Sequence, residues 1–172
     1  MHNFSRVFNG KEFVYGWHKD ENLYLMHKDS LSIHDFFTVK SKYVEKTFNE
    51  SFLGDIDENE KLNRFDCLQS LYRNLIYDPY RQVYYRLVLH RFTEDELLSN
   101  PNECEDYTRP LSIMEISSDF KLKQELKLPA KTYNPDVFVV SPEGFYLSIN
   151  NPYNENSNEN ELQLERINFD EL

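Results

Sequence analysis

Residues 75–85 read LIYDPYRQVYY, with an apolar triplet on either side of a short polar stretch. Isoleucine, valine and tyrosine favour strands, whereas Asp78 followed by Pro79 favours a tight turn. Two strand-forming runs joined by such a turn are typical of a β-hairpin. The stretch therefore predicts an antiparallel pair of strands with its turn at residues 78–81.

The same arrangement recurs on both sides of this hairpin. Residues 13–25 and residues 138–147 each carry two apolar triplets around a polar turn, and the tyrosines of the three second triplets lie 60 and 62 residues apart (84 − 24 and 146 − 84). A period of this size indicates a repeat fold. A third apolar segment follows each hairpin, at residues 31–34, 111–114 and 162–165.

A fourth, more polar segment follows at residues 43–48 and 122–128, where Lys123, Glu125 and Lys127 would share one face of an outer strand. Residues 83–89, by contrast, are apolar on both faces, which indicates a strand covered from both sides. Strands graded from apolar to charged are typical of a β-propeller blade, from axis to rim. In the alternative, an ordinary sandwich or barrel, most strands would alternate between apolar and polar residues.

The sequence thus predicts an all-β propeller fragment of about three four-stranded antiparallel blades, half of a six-bladed ring. Blade 1 spans about residues 11–48, blade 2 about 70–128 and blade 3 about 135–169, with residues 3–8 as the outer closing strand of the third blade. Propellers have about 4 to 8 blades, so three would leave two apolar faces open. We expect another copy of the chain, or blades upstream of it, to complete the ring.

The composition limits the classes of partner. Lys and Arg total 19 against 30 Asp and Glu, a net charge of −11, and no basic stripe is present. Nucleic acid and anionic membrane surfaces are therefore poor candidates for partners. The apolar runs are far shorter than the roughly 20 residues of a transmembrane helix. Residues 1–8 do not resemble a secretory signal, so we expect a chain that stays inside the cell or an export signal upstream.

No pattern predicts a metal or a cofactor. Residues 55–66 place oxygen ligands at alternate positions, as in a calcium loop, but Glu60 stands where such loops need glycine, which favours a solvated acidic loop. Cys67 and Cys104 lack a CxxC spacing, and two free thiols are favoured over one disulfide. The histidines have no metal-ligand spacing and are expected on the surface or in the core; they are His2, His18, His27, His34 and His90.

The segments from Tyr77 to Arg81, Tyr85-Arg86 and Gly144 to Tyr146 resemble an uncharacterised bacterial family of TolB-like, six-bladed propeller lipoproteins, known only as a domain of unknown function. The resemblance runs along nearly the whole chain. It implies a six-bladed fold, an exported and membrane-tethered location, and no established activity. The chain departs from this pattern in its half length, its four glycines and its lack of a lipoprotein signal.

The long connections are expected to lie at one end of the blades, where binding residues concentrate. They are residues 49–69, 92–109 and 150–160. Their aromatic and hydrogen-bonding side chains suit a glycan, a peptide or another protein, although each could instead anchor its loop. The candidate ligand-binding residues are Arg64, Tyr107, Arg109, Tyr133, Tyr153 and Asn154.

No nucleophile elbow, phosphate-binding glycine loop or dinucleotide fingerprint occurs in the sequence, so no catalytic residue is predicted. A non-catalytic binding or interaction module is favoured. The alternative is a propeller hydrolase or lyase with carboxylates around the axis. The expected innermost strands favour binding, because they offer only Arg73, Asp78 and Asp136 near their ends.

Overall fold

Three antiparallel sheets make up the computed structural model, which describes residues 4–44, 66–99, 104–158 and 160–169. The first sheet contains β1 (Phe4–Phe8), β2 (Glu12–Trp17), β3 (Asn22–His27) and β4 (Ile33–Thr38). The second contains β5 (Leu71–Asp78), β6 (Val83–Leu89), β7 (Leu111–Ser117) and β8 (Leu122–Leu128). The third contains β9 (Asn134–Ser141), β10 (Gly144–Ser148) and β11 (Leu164–Arg166). Helix α1 (Glu94–Ser99) and a 3₁₀ turn (Asp106–Thr108) are short, so the all-β prediction is confirmed.

The hairpin predicted at residues 75–85 is formed by β5 and β6. Tyr77 pairs with Tyr84 across it. Asp78 Oδ1 accepts the backbone N–H groups of Tyr80 and Arg81, at 2.9 and 3.0 Å, which closes the turn. The buried Asp78 carboxylate is in turn ion-paired with Arg81 Nε at 2.9 Å. The aspartate therefore both shapes the turn and has its charge compensated.

Strand β6 is buried along its whole length, as its sequence predicted. The reason is that the second sheet lies between the other two. Toward the third sheet, Tyr85 and Leu87 pack with Phe145 and Leu147. Toward the first sheet, a second apolar cluster includes Val14, Leu23, Tyr84, Val88 and Met114.

The expected role of residues 3–8 is wrong. Phe4–Phe8 pairs with β2 in the first sheet, not with the outer strand of the third. The side chain of Ser5 fastens β1 to β5, since its Oγ donates to Arg73 O at 3.2 Å and accepts Leu75 N–H at 3.1 Å. β1 therefore holds the same place in the first sheet as β5 in the second.

This extra strand shifts the predicted repeat by one position in the first unit. Tyr24 lies in the third strand of its sheet, whereas Tyr84 and Tyr146 lie in the second strands of theirs. The three hairpins look alike in sequence because each is an apolar pair around a polar turn. The fourth strand of the first sheet is β4, and the segment predicted there, residues 43–48, lies mostly outside the described residues.

The outer strand of the second sheet also differs from the prediction. Glu125 shares a face with its charged neighbours but is buried. Its carboxylate accepts Ser41 Oγ at 2.7 Å, Lys42 N at 2.6 Å and Ser112 Oγ at 2.6 Å. His90 Nε2 lies 2.8 Å from Ser112 Oγ on the other side of that hydroxyl. The network ties the segment that follows the first sheet onto the second.

Candidate functional site

The connections between strands differ in length at the two ends of the sheets. At one end the turns are short, at residues 9–11, 28–32, 79–82, 118–121 and 142–143. At the other end lie the connections from β4 to β5, β6 to β7 and β10 to β11, each more than ten residues long. We call this the loop end. It is the surface on which the strands can carry variable groups without disturbing their pairing.

A charged group of side chains, the Arg73 cluster, lies at the loop end and consists of Arg73, Asp106, Tyr107 and Asp136. Arg73 Nη1 lies 2.9 Å from Asp106 Oδ2, and its Nη2 lies 3.3 Å from Asp136 Oδ1. Tyr107 donates to the second oxygen of Asp136 at 3.4 Å. The second sheet, the 3₁₀ turn and the third sheet each contribute to the cluster.

The cluster is positioned by strand ends and by the 3₁₀ turn. Arg73 stands near the start of β5 and Asp136 near the start of β9, so the register of two sheets brings them together. Thr108 closes the turn that carries Asp106 and Tyr107, since its hydroxyl donates to Glu105 O at 2.8 Å. The rim extends to Tyr153, whose hydroxyl donates to the Glu105 carboxylate at 2.8 Å.

The electrostatics of the loop end are mixed but negative. Burial and then the charge of Asp136 raise the pKa of Tyr107, so this phenol keeps its proton as a donor. Burial and then the charge of Arg73 lower the pKa of His18, the imidazole at the β2–β3 turn. Within the Arg73 cluster and its neighbour Glu105, one guanidinium stands beside three carboxylates, those of Glu105, Asp106 and Asp136. Such a surface favours neutral or cationic ligands over anionic ones.

A groove of about 510 Å³ opens beside the cluster. Its lining includes Val137, Asn151, Pro152, Asn154 and Leu162. Asn151 joins the groove to the cluster, because its Nδ2 donates to Tyr107 O at 2.9 Å and to Tyr133 O at 2.8 Å. The groove and the cluster therefore form one continuous surface.

The predicted site residues fall into three groups. Tyr107 and Tyr153 lie on this surface, and Asn154 lines the groove while its amide donates to Ile149 O and Thr132 O at 3.0 and 3.2 Å. Arg109 and Tyr133 are buried and serve as anchors. Arg64, like most of the calcium-like segment 55–66, lies outside the described residues.

The two buried candidates are held by the protein itself. Arg109 donates through Nε to His90 O at 3.0 Å and through Nη2 to Gln69 O. Burial lowers its pKa to about 10. Burial, followed by the hydrogen bond with Glu165, raises the pKa of Tyr133 to about 12. Both buried residues therefore have a structural role beneath the loop-end surface.

The asparagine-rich connection between β10 and β11 is ordered by its own side chains. Asn150 Nδ2 donates to Asn158 O and Glu161 O, each at 3.0 Å, and Asn150 Oδ1 accepts Gln163 N–H at 2.8 Å. Asparagine has both a donor and an acceptor on a short stem, so it can satisfy backbone groups in a turn. These side chains therefore shape the groove wall.

The prediction of two free thiols is wrong, because Cys67 and Cys104 form a disulfide with a Cα–Cα distance of 5.9 Å. A separation of 37 residues gives no sequence signal for the pairing. The bond joins the connection before β5 to the loop that carries the 3₁₀ turn. It thereby fastens the backbone next to Glu105 and Asp106.

The carboxylates of the cluster are engaged by an arginine and a tyrosine. Asp136 uses one oxygen for Arg73 and the other for Tyr107, so the two aspartates face a guanidinium and not each other. Within the described ranges, no three histidine, cysteine or acidic side chains lie close enough together to hold a metal ion. The sequence-based site set missed Arg73, Asp106 and Asp136, although Arg73 and Asp136 were noted as charges near strand ends.

The chain is thus an all-β protein of stacked antiparallel sheets with a polar, charged surface at its loop end. Residues 2–127 match the model of the family described as domain of unknown function DUF4221, and the chain belongs to that family. The chain is similar to the crystal structure of a DUF4221 family member from Bacteroides vulgatus, with 25% identity and a TM-score of 0.72. The match covers 96% of this chain but 46% of that one, so the chain spans about half the length of its relative. No curated protein matches it.

Proposed function

We propose that the chain is a non-catalytic ligand-binding module whose binding surface is the Arg73 cluster together with the adjoining groove. One observation carries the proposal: separate sheets and loops converge on one exposed surface that combines tyrosines, carboxylates and an arginine. Ion pairs with a purely structural role would not explain an exposed aromatic side chain at this surface. Tyr153 is such a side chain, since it is 41% exposed beside the groove.

The expected ligand is a neutral or basic glycan or peptide. Tyrosine rings supply flat apolar area with a polar tip, and carboxylates accept hydrogen bonds from hydroxyl or amino groups. An anionic ligand would meet the excess of carboxylates at the rim. Another protein that presents such groups in an exposed loop would satisfy the same surface.

The arrangement of the sheets is proposed to be that of a propeller segment. In support, three sheets stack face to face in chain order, and their long connections lie at one end. A six-bladed, TolB-like ring would need as many sheets again. The greater length of the Bacteroides vulgatus relative is consistent with that number.

We also propose that the protein is exported. The Cys67–Cys104 disulfide supports this location, because disulfides persist in oxidising compartments and are rare in the cytosol. In the described parts of the chain, no helix combines the length and the apolar character that a bilayer crossing needs. A lipid anchor, as the family resemblance implies, is part of the proposal.

The binding proposal is tested with glycan and peptide arrays probed by the intact, oxidised chain. Each hit is then titrated by calorimetry against the wild type, Tyr153→Ala and Asp136→Asn. Tyr80→Ala is the matched control, because Tyr80 is an exposed tyrosine in the short β5–β6 turn. We expect the two cluster variants to weaken binding by about tenfold or more, as for loss of an aromatic anchor.

Two outcomes would contradict the proposal. Loss of binding in Tyr80→Ala, with the cluster variants unchanged, would move the site to the opposite end. Cleavage of a hit by the wild type, detected by mass spectrometry, would favour the hydrolase or lyase alternative.

A further inference from the structure

Three asparagine side chains that line the groove are occupied by the protein itself. A carboxamide has two N–H donors and one acceptor oxygen. In Asn150, Asn151 and Asn154 the amide nitrogen donates to two backbone carbonyl groups of the chain. Their Oδ1 atoms accept backbone N–H groups at 2.8, 2.9 and 3.0 Å, respectively. These side chains therefore have little hydrogen-bonding capacity left for a ligand.

Apolar side chains are exposed on the same walls of the groove. Val137, Pro152 and Leu162 line it, and Leu162 is 66% exposed. Among the described residues of the lining, the exposed polar side chains are Asn160 and Glu161. An exposed apolar side chain in a concave surface is typical of a contact with a ligand or partner. The groove thus offers apolar contact in its walls and a carboxylate at its edge.

The charge next to the groove is negative. One guanidinium, that of Arg73, compensates the carboxylates of Asp106 and Asp136, and Glu105 adds a third negative charge. Arg73 binds Asp106 through Oδ2, and Oδ1 makes no hydrogen bond or ion pair with any described residue. No lysine or arginine is found among the described residues of the groove lining. This surface therefore complements a cation.

The acidic and the apolar parts of the surface adjoin each other. Asp136 of the cluster is followed on β9 by Val137 of the groove lining. Pro152 of the lining is followed by Tyr153, whose hydroxyl bonds to Glu105. Successive residues of an extended peptide are about 3.3 Å apart. A peptide can therefore reach both parts with side chains one or two positions apart.

We infer that the loop end binds an extended peptide segment in which a lysine or arginine lies within two positions of a large apolar side chain. The apolar side chain packs against Val137 and Leu162 in the groove, and the cation lies against Asp106 and Asp136 of the cluster. This inference rests on the proposed binding function and narrows its ligand from a glycan or peptide to a peptide of one pattern.

A glycan fits the groove less well than such a peptide. Every sugar ring carries several hydroxyl groups, and a hydroxyl that leaves water without gaining a partner costs free energy. Because the carboxamides of Asn150, Asn151 and Asn154 are already occupied, they provide few partners for these hydroxyls. An aliphatic or aromatic side chain needs no hydrogen bond in the groove. The choice of a peptide therefore follows from the hydrogen bonds within the walls.

The test is an array of hexapeptides probed with the intact, oxidised chain. Each hexapeptide carries lysine or arginine one or two positions from leucine, isoleucine or phenylalanine. Two matched peptides accompany it, one with glutamate in place of the cation and one with serine in place of the apolar residue. Neutral oligosaccharides are printed on the same array. We expect peptides of the pattern to bind, and either replacement to weaken binding by about tenfold or more in calorimetry.

Variants of the chain assign each half of the pattern. Leu162→Ser should weaken the parent peptide by about tenfold but change the affinity of the serine-substituted peptide little. Asp106→Asn should weaken the parent peptide by about threefold at low salt and less at high salt. Leu31→Ser and Asp29→Asn are the matched controls, because Leu31 is 63% exposed and both residues lie in the β3–β4 turn at the opposite end. Circular dichroism verifies that every variant is folded.

Two results would overturn the inference and leave the proposed binding function in place. The first is an array on which no peptide of this pattern binds, while an oligosaccharide binds in a way that Tyr153→Ala weakens. The second is a peptide that keeps its affinity when the cation becomes glutamate or the apolar residue becomes serine. Hits that Tyr153→Ala, Leu162→Ser and Asp106→Asn all leave unchanged, or an array without any hit, would contradict the binding function together with the inference.

Discussion

The two faces of the second sheet bury polar groups in different ways. On the face toward the third sheet, the buried carboxylates of Asp78 and Glu115 stand near the short-turn end and are ion-paired with Arg81 and Lys123. On the face toward the first sheet, no carboxylate of the described residues is bound directly to the buried Arg86 or His90, and the buried Glu125 carboxylate accepts hydrogen bonds from hydroxyl and backbone N–H groups. The buried charges toward the third sheet are therefore compensated by ion pairs, whereas the buried polar groups toward the first sheet depend on carbonyl, hydroxyl and backbone N–H partners.

Arg86 shows what this dependence requires. Its Nη2 donates to Trp17 O and Asp20 O, both at 2.9 Å, and its guanidinium carbon lies 4.2 Å from the centre of the Tyr72 ring. Within the described residues, its Nε and Nη1 make no hydrogen bond. Burial lowers its pKa to about 10, because the charged form has lost its water. The two hydrogen bonds hold the β2–β3 turn, but removing the charged guanidinium from water costs free energy.

The largest effect is expected where the packing is apolar. Phe145→Ala removes a buried ring that stacks on Tyr85 with centroids 4.6 Å apart. We expect a loss of about 3–5 kcal/mol in the free energy of unfolding, from lost burial and the cavity left behind. Urea denaturation measures it. Tyr146→Ala is the control, because this neighbour points outward, and equal losses in both would break the comparison.

The second effect is a pH dependence that arises on the face toward the first sheet. Burial, and then the charges of Lys127 and Arg109, lower the pKa of His90 from 6.5 to about 4. The unfolded chain therefore takes up the proton first, and stability falls as the pH drops from about 6.5 to about 4. The loss reaches about 3 kcal/mol at the lower pH, at about 1.4 kcal/mol per pKa unit.

Denaturation curves between pH 7 and pH 4 measure this loss, and the matched variant is His90→Gln. Glutamine keeps a donor for Ser112 but does not titrate in this range. The difference between wild type and variant should shrink steadily as the pH falls. A wild-type slope that His90→Gln leaves unchanged would assign the pH dependence to other groups.

A smaller effect is expected from Arg86→Met. The change leaves two carbonyl groups without their donor, but it also removes a desolvated charge, and these terms partly offset each other. We expect a net loss of about 1–2 kcal/mol in the free energy of unfolding. The pKa of His18 should rise, because the charge of Arg86 contributes to lowering it. NMR titration of His18 separates this charge effect from general loosening.

The smallest expected effect concerns Gly16. A Cβ added there would lie 2.9 Å from Arg86 Nη2 and 3.3 Å from Leu23 Cδ2. Gly16→Ala should cost about 1 kcal/mol in the wild type and less in an Arg86→Met background, since residues in contact do not act additively. A double-mutant cycle measures the coupling. No coupling would mean that the guanidinium moves aside freely.

Some parts of the fold could be predicted from the sequence and others could not. The uninterrupted apolar run at Val83–Leu89 predicted a strand covered on both sides, because burial on both faces removes the alternation. The prediction assigned β1 to the wrong sheet, because the mixed polarity of these five residues does not show which strand they pair with. Register is set by contacts such as Ser5 with β5, which no local pattern records.

The site was predicted in outline only. Tyr107 and Tyr153 were found because exposed aromatic residues in long loops are recognisable by type. Arg109 looked the same in sequence, yet its guanidinium reaches inward to backbone carbonyls. Arg73 and Asp136 are 63 positions apart in sequence and lie in different sheets, and the two cysteines of the disulfide are 37 positions apart. Both contacts form only in the tertiary structure, so no local sequence pattern predicts them.

The most direct test of the central claim, that the loop end is the binding surface, is hydrogen exchange of the oxidised chain with and without the tightest ligand from the arrays. We expect added protection in the segments that carry the Arg73 cluster and the groove, at residues 104–108, 134–137 and 150–157. The opposite end, at residues 79–82 and 142–143, should be unchanged. Protection confined to those short turns, with the loop end unaffected, would contradict it.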